Sequence, residues 1–334
     1  MKRLGGAKGL VGIGLGAGLA GAAAVALRYA LRPRERRPIP DSISSPGFSS
    51  RVARTSVGQI VYHEAGKGPS LLFLHGGFVG ASSYEWSKVY PDFARTHRVL
   101  ALDLIGFGES ERPQNLLGAF DHVRALQEFI ESICPDERVT IVGSHLGGGF
   151  ATLLASQNPD RVGRLLLLMP TGLTEFGLQP VPSLVTLACR VPLLGRFLSR
   201  NAFAHPSAIR RWMMRFGFHD ADQVSEEAVE TFATCAQQYG AQNAVLSLLQ
   251  KRFHFDFEQR WKSLPVPAAL LWSANSTAAP LEWAYRLMAM APRDCSLDVI
   301  PSSSLLVALE RADAVRDILH TRLDHQIRLL KPSN

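Results

Sequence analysis

The sequence has few charged residues and few cysteines for its length. Asp, Glu, Lys and Arg make up 19% of its 334 residues and hydrophobic residues 46%, which excludes a disordered chain. No phosphate-binding glycine loop followed by Lys is present, and His, Asp and Glu are never grouped at ligand spacing, so we expect no metal and no cofactor. The four cysteines contain no C-x-x-C pair and predict ordinary buried thiols. They are Cys134, Cys189, Cys235 and Cys295.

A basic surplus is also missing from most of the chain. The formal net charge is +7, but the first 40 residues hold eight Lys and Arg against a single Glu. From Asp41 to Asn334 there are 28 basic and 28 acidic residues. Because nucleic-acid-binding domains carry a clustered positive surface, we expect no nucleic-acid partner.

The N-terminus contains the longest uncharged segment. Residues Gly9–Leu27 are 19 residues without a charge between Lys8 and Arg28, nearly enough to span a bilayer as a helix. We expect residues 1–31 to form a single-pass membrane anchor helix, in contact with the lipid bilayer, and residues 32–51, rich in Pro and Ser, to form a linker. A cleaved signal or transit peptide and a soluble Gly/Ala-rich tail are the alternatives.

Small residues within the anchor are spaced for close helix packing. They predict a contact with an integral membrane protein partner. Five arginines, at positions 28, 32, 34, 36 and 37, follow the uncharged segment and favour the cytoplasmic side for the globular part. The packing residues are Gly12, Gly14, Gly16 and Gly18.

After the linker, apolar runs alternate with amphipathic stretches, which is typical of an α/β protein with a doubly wound, mostly parallel sheet. We expect a core from residues 52–170 and 265–330 and a helical cap from residues 171–264, with helices over 182–200, 206–216 and 225–251. The predicted strands are Gln59–Glu64, Leu71–Leu74, Val99–Leu102, Val139–Val142, Leu165–Met169, Ala268–Trp272 and Ser296–Ile300.

Three stretches, each after a predicted strand, together resemble the α/β-hydrolase fold superfamily, in particular its capped epoxide hydrolase and haloalkane dehalogenase branch. They are Leu74–Phe78, Asp103–Ser110 and Val142–Gly148. The resemblance covers residues 52–330 and implies an oxyanion hole at Gly77, Phe78 and Leu146. Residues 83–91 with 103–108 are similar to hydrolase-like proteins of phototrophic bacteria, which implies a photosynthetic or other energy-transducing complex as the membrane partner.

The resemblance also locates the catalytic triad, and all three of its positions are changed. In the family pattern G-x-S-x-G the middle residue is the nucleophile, and here that position holds His145. Asn275 or Ser276 stands where the acid is expected, with Ser276 the preferred position, and Leu305 stands where the general base is expected. Ser144, one residue before the nucleophile position, is a weaker candidate nucleophile.

These changes lead to three hypotheses. The first is a membrane-anchored protein that has lost hydrolysis and serves as a structural or interaction subunit of a membrane complex. The second is a hydrolase or lyase that acts on a small hydrophobic substrate with an atypical site around His145. The third is a sensor that holds a small apolar ligand beneath the cap.

Overall fold

The structure is a computed structural model and describes residues 38–39, 41–173, 187, 191–292 and 295–330. The predicted anchor, residues 1–31 with Gly12, Gly14, Gly16 and Gly18, lies outside the described residues. Among those that are described, no helix is both long and apolar enough to cross a membrane.

The described residues form one eight-stranded sheet in the order β1-β2-β4-β3-β5-β6-β7-β8. The pairs β1–β2 and β2–β4 are antiparallel, and every other neighbouring pair is parallel. The predicted α/β class with a mostly parallel sheet is confirmed. The strands are β1 (Ser49–Arg54), β2 (Gln59–Ala65), β3 (Ser70–Leu74), β4 (Arg98–Leu102), β5 (Val139–Ser144), β6 (Val162–Leu168), β7 (Ala268–Ser273) and β8 (Cys295–Ile300).

The centre of the sheet follows from uniformly apolar sequence. Every residue of β3 and β7 is buried, and β6 ends in four consecutive buried leucines. Such strands are covered on both faces, as parallel strands are when helices pack above and below them. By contrast, β1 is exposed at every residue but Ala53 and begins within the segment predicted as linker.

Ten α-helices surround the sheet in the described residues. Between β6 and β7 the described chain is helical, and we call residues 191–264 the helical insertion. Short 3₁₀ turns lie at Asp41–Ile43, Ser83–Trp86, Tyr90–Arg95 and Ala221–Gln223, and π turns at Ser199–Phe203 and Met213–Gly217. The α-helices are α1 (Ala119–Ile133), α2 (His145–Gln157), α3 (Pro192–Leu198), α4 (Pro206–Trp212), α5 (Glu226–Ala236), α6 (Gln242–Leu249), α7 (Phe257–Lys262), α8 (Leu281–Ala289), α9 (Val307–Glu310) and α10 (Ala312–Leu330).

One long helix predicted within the insertion is two helices. The expected helix over 225–251 begins as predicted, with the Ser225 hydroxyl accepting from the Ala228 amide at 3.1 Å. It stops at Ala236 and resumes at Gln242. Gly240, with φ of +85°, lies between the two helices in a left-handed conformation that no helix contains, so the single continuous helix is wrong.

Candidate functional site

The site is built on the turn where β5 ends at Ser144 and α2 begins at His145, and we call this turn the elbow. His145 has φ of +45°, a conformation that costs energy in a residue with a side chain and that concentrates at functional turns. The flanking glycines make the turn possible. A Cβ on Gly147 would lie 2.3 Å from the His75 carbonyl oxygen, and one on Gly143 would lie 2.8 Å from Gly148 Cα.

The His145 side chain is buried and firmly held. Its Nε2 donates to the Leu305 carbonyl oxygen at 2.9 Å, and the Phe78 ring meets the imidazole edge-on with centroids 4.7 Å apart. Burial lowers the pKa of His145 to about 4, although the Leu305 and Met169 carbonyls favour the protonated ring. The imidazole is therefore neutral at pH 7.

The loop after β3 supplies the other side of the site. A Cβ on Gly77 would lie 2.3 Å from Leu146 Cδ1, so the loop lies directly against the first turn of α2. The amide of Leu146 belongs to that turn, where N–H groups have no intrahelical acceptor. The structure thus brings Gly77, Phe78 and Leu146, the residues predicted to form an oxyanion hole, together around the elbow, and we call residues 75–80 the oxyanion loop.

Ser144 is completely buried and lies beside a carboxyl group that the sequence reasoning missed. Glu85 Oε2 accepts a hydrogen bond from the Gly76 amide at 2.7 Å. Burial raises the pKa of Glu85 to about 7, while the neighbouring Ser144 hydroxyl and the Gly76 amide act to lower it. Within the described residues Ser144 Oγ and Glu85 Oε1 have no partner with full hydrogen-bond geometry. Glu85 therefore contacts both the elbow and the oxyanion loop.

The remaining two positions predicted for the triad, Ser276 and Leu305, hold no acid and no base. Ser276 is buried, and its hydroxyl accepts from the Ala279 amide at 3.1 Å, closing a local turn after β7. Leu305 is also buried and contributes its carbonyl to His145. The structure therefore brings His145 to Leu305 and leaves Ser276 engaged with its own loop.

The loop after β8 is bonded to the helical insertion. The amides of Leu305 and Leu306 donate to the carbonyls of Phe216 and Gly217 at 3.2 and 2.7 Å. The carboxylate of Glu310 strengthens this junction by accepting from the amides of His219, Asp220 and Ser304. These hydrogen bonds hold the helical insertion against the loop that contacts His145.

A small apolar cavity lies between the oxyanion loop and the helical insertion. It has room for about one water molecule. The Trp212 ring packs on Phe78 with centroids 5.0 Å apart and extends the apolar surroundings. The cavity is lined in part by Gly77, Phe78, Phe107, Cys235, Val245 and Leu248.

Sequence comparison agrees with this arrangement. Residues 69–293, two thirds of the chain, match the family model described as the alpha/beta hydrolase fold. The chain belongs to the alpha/beta hydrolase fold family.

Two relatives of this alpha/beta hydrolase fold protein are named hydrolases. It is 26% identical to the 2-hydroxy-6-oxo-6-(2'-aminophenyl)hexa-2,4-dienoic acid hydrolase of Metapseudomonas resinovorans over 73% of this chain and 81% of that one. It is 29% identical to the 2-hydroxy-6-oxononadienedioate/2-hydroxy-6-oxononatrienedioate hydrolase of Paraburkholderia xenovorans over 69% of this chain and 79% of that one. A serine hydrolase involved in carbazole degradation has a similar structure, with a TM-score of 0.70, 21% identity, and 83% and 99% of the two chains covered.

These relatives contradict the prediction of a non-hydrolytic structural or interaction subunit. They are named hydrolases, and they match across most of their own length. Nothing in the comparisons supports a photosynthetic complex or a pseudoenzyme. The prediction of a non-hydrolytic subunit rested on the three changed side chains. The backbone of the elbow and of the oxyanion loop nevertheless has the strained φ angle and the close glycine contacts described above.

Proposed function

We propose that the protein is a hydrolase that acts on a carbonyl group of a small hydrophobic substrate, with an atypical site around His145. The observation that carries the proposal is the position of a neutral imidazole on the strained elbow, against the oxyanion loop. In this proposal the helical insertion acts as a cap over the core.

The chemistry follows from the protonation of His145. With a pKa of about 4, the ring is neutral at pH 7 and one of its nitrogens carries a lone pair. Because Nε2 donates to Leu305, that nitrogen is Nδ1, and it takes a proton from a water molecule whose oxygen attacks the substrate carbonyl. The protonated ring then gives this proton to the leaving carbon as the carbon–carbon bond beside the carbonyl breaks and a carboxylic acid is released. The amides of Phe78 and Leu146 stabilise the negative charge that develops on the carbonyl oxygen.

The rate should be low. A neutral imidazole with a pKa near 4 is a weak base at pH 7, and neither Ser276 nor Leu305 can assist it. In subtilisin, loss of the nucleophile or base lowers turnover by about 10⁶ and leaves about 10³ to 10⁴ over the uncatalysed reaction. We expect turnover near that residual level.

The substrates to test first come from the relatives. Their names specify 2-hydroxy-6-oxo-dienoic acids, in which a ketone lies at the end of a conjugated chain. Phe78 and Trp212 offer aromatic surface to such a conjugated body, which enters only when the helical insertion moves, because the cavity here holds about one water molecule. The conjugated chromophore allows its cleavage to be followed by absorbance.

The test compares the wild type with His145→Ala on 2-hydroxy-6-oxo-6-phenylhexa-2,4-dienoate. We expect His145→Ala to abolish turnover above background while the thermal melt shows a folded protein. The matched control is His219→Ala, a change at an exposed histidine outside the site, which should keep the wild-type rate. Equal rates for wild type and His145→Ala would refute the proposed role of the imidazole.

We further propose that residues 1–31 anchor this hydrolase in a membrane. The support is the uncharged segment Gly9–Leu27, and its glycines would allow contact with an integral membrane protein. Alkaline carbonate washing should leave the full chain in the membrane fraction and release a variant lacking residues 1–31. Release of the full chain by the same wash would contradict the anchor.

A further inference from the structure

Three side chains from separate segments converge outside the candidate active site. His63 lies on β2, Asp103 directly follows β4, and Glu109 lies in the loop beyond it. One ligand atom from each lies within 4.8 Å of the others. His63 and Asp103 are fully buried, and the Glu109 side chain is 32% exposed, so the group has one side open to solvent.

The His63 ring is oriented toward the two carboxylates. Its Nδ1 lies 3.0 Å from Ser50 Oγ, and its Nε2 lies 3.7 Å from Glu109 Oε2. Within the described residues the buried Nε2 has no hydrogen-bond partner. With the ring proton on Nδ1 donated to Ser50, Nε2 presents a lone pair to the carboxylates, which is how a metal-binding histidine is held.

Asp103 is fixed by backbone amides. Its Oδ1 accepts from the Ser83 amide at 2.6 Å, and its Oδ2 accepts from the Glu109 amide at 2.7 Å. Each carboxylate oxygen has a second lone pair and remains able to bind a cation. The carboxylate therefore cannot turn away from His63 without breaking two hydrogen bonds.

Among the described residues no Lys or Arg is hydrogen-bonded to the two carboxylates, and the positive charge of Arg112 acts on Asp103 and Glu109 only from a distance. The nearby Arg112 guanidinium donates to the carbonyls of Ser110 and Gly108. In the neutral ring form, three electron-rich ligand groups thus face one another. Such an arrangement of a buried imidazole and two carboxylates is stabilised by a positive ion between them.

We propose that His63, Asp103 and Glu109 form a binding site for a divalent transition metal ion of the zinc class. Because no two of the three ligand atoms are more than 4.8 Å apart, a central point lies within about 2.8 Å of each. Shifts of about 0.7 Å reach the usual zinc distances of about 2.1 Å. One imidazole with two carboxylates suits Zn²⁺ better than Ca²⁺ or Mg²⁺, which prefer oxygen ligands alone. A water molecule from the solvent side completes the coordination.

The proposed ion has a structural role that is separate from the proposed hydrolysis. It joins β2 to the loop that follows β4. Through Asp103 it also supports Ser83, in the turn that follows the oxyanion loop. Metal binding can be measured without any substrate, so failure of one proposal does not decide the other.

The experiment measures Zn²⁺ binding to the chelator-stripped full-length chain in mild detergent by titration calorimetry. We expect one ion per chain at this site and a melting temperature that rises with Zn²⁺. His63→Gln and Glu109→Gln should each weaken binding at least about 100-fold, and Ser50→Ala about 10-fold, since it removes only the partner that orients the ring. His219→Gln and Glu131→Gln, at exposed positions, are the matched controls.

Co²⁺ provides a second readout. When it replaces Zn²⁺ at a four-coordinate site, visible d–d bands should appear in the wild type and vanish in Glu109→Gln. Glu109 is partly exposed, so this variant remains informative even if His63→Gln does not fold. Absence of Zn²⁺ binding to the wild type, or equal affinity in folded Glu109→Gln, would overturn the proposal.

Discussion

Nε2 of His145 donates a hydrogen bond to the carbonyl oxygen of Leu305, 2.9 Å away. The bond joins two positions where a hydrolase of this family would carry its nucleophile and its base. The side chain that replaces the nucleophile thus bonds to the backbone of the residue that replaces the base. At this contact the loop after β8 meets the turn between β5 and α2.

Because the loops still meet, we predict that the triad can be rebuilt. The triple variant His145→Ser, Ser276→Asp, Leu305→His restores nucleophile, acid and base on the existing backbone. Its hydrolysis of p-nitrophenyl acetate should exceed that of the wild type by about 10³ or more. The control is the double variant that keeps Leu305 and should remain slow. A folded triple variant no faster than this control would show that the loops are not in catalytic register.

Glu85 should make the stability of the protein depend on pH. Burial raises its pKa to about 7 in the folded state, above the value of about 4.3 in an unfolded chain. Stability from this group is therefore full below about pH 4.3 and is lost as the pH rises through about 7, by about 4 kcal/mol in total.

Urea unfolding at pH 5 and pH 8 tests this prediction. Glu85→Gln cannot ionise, so it should lose less stability than the wild type between these pH values. Glu131→Gln, at an exposed position, should behave as the wild type does. A variant Glu85→Gln with the wild-type pH slope would contradict the prediction.

His122 should make the stability of the protein depend on pH in the opposite direction. It is completely buried and stacked on Phe150 at 4.8 Å, and among the described residues neither ring nitrogen has a partner. Burial lowers its pKa to about 4, from about 6.5 in an unfolded chain. Stability from this group is present above about pH 6.5 and falls as the pH decreases toward 4, by about 3 kcal/mol.

His122→Phe keeps the ring stack and removes the titrating group. Thermal melts at pH 4.5 and 7.5 should show a smaller acid loss for this variant than for the wild type. His219→Phe, at an exposed histidine, should retain the full loss. The prediction fails if the two variants lose the same amount at pH 4.5.

Gly147 should not tolerate even one added carbon. A Cβ there would lie 2.3 Å from the His75 carbonyl oxygen, a backbone atom that cannot rotate away. We expect Gly147→Ala to destabilise the fold by about 1–3 kcal/mol in urea unfolding. The matched control is Gly163→Ala, where the nearest atom would lie 3.5 Å away and the change should be nearly neutral. Equal effects at the two glycines would show that the elbow has room to relax.

The inner strands could be predicted from the sequence because strands buried on both faces appear in it as continuous apolar runs. Leu71–Leu74 and Ala268–Trp272 are examples, and both lie in fully buried strands. The sequence reasoning missed β1, since Ser49–Arg54 is an exposed edge strand whose pairing with β2 is made by backbone hydrogen bonds, without apolar alternation. The break at Gly240 was missed because one glycine does not reveal the sign of its φ angle.

The site, like the strands, could be predicted where local sequence motifs define it and was missed where separate elements come together. The elbow and the oxyanion loop follow from short motifs, since His145 and Leu146 are adjacent in the chain and Gly77 lies in a glycine pair. Glu85 was missed because its partners Gly76 and Ser144 come from separate elements. The only local signal was a carboxylate between two aromatic residues, Tyr84 and Trp86. The sequence indicates no metal site for the same reason, since ligand spacing along the chain cannot detect the convergence of His63, Asp103 and Glu109 in space.

The placement of the helical insertion between β6 and β7 has a consequence for how the chain folds. Leu165 pairs with Ala268 in neighbouring parallel strands, yet about a hundred residues separate them along the chain. Closing so long a loop is entropically costly, and contacts of high sequence separation slow folding. We infer that the strands up to β6 associate first and that β7 and β8 join last. Until then the exposed edge of β6, rich in leucine, is the surface most prone to aggregation during synthesis.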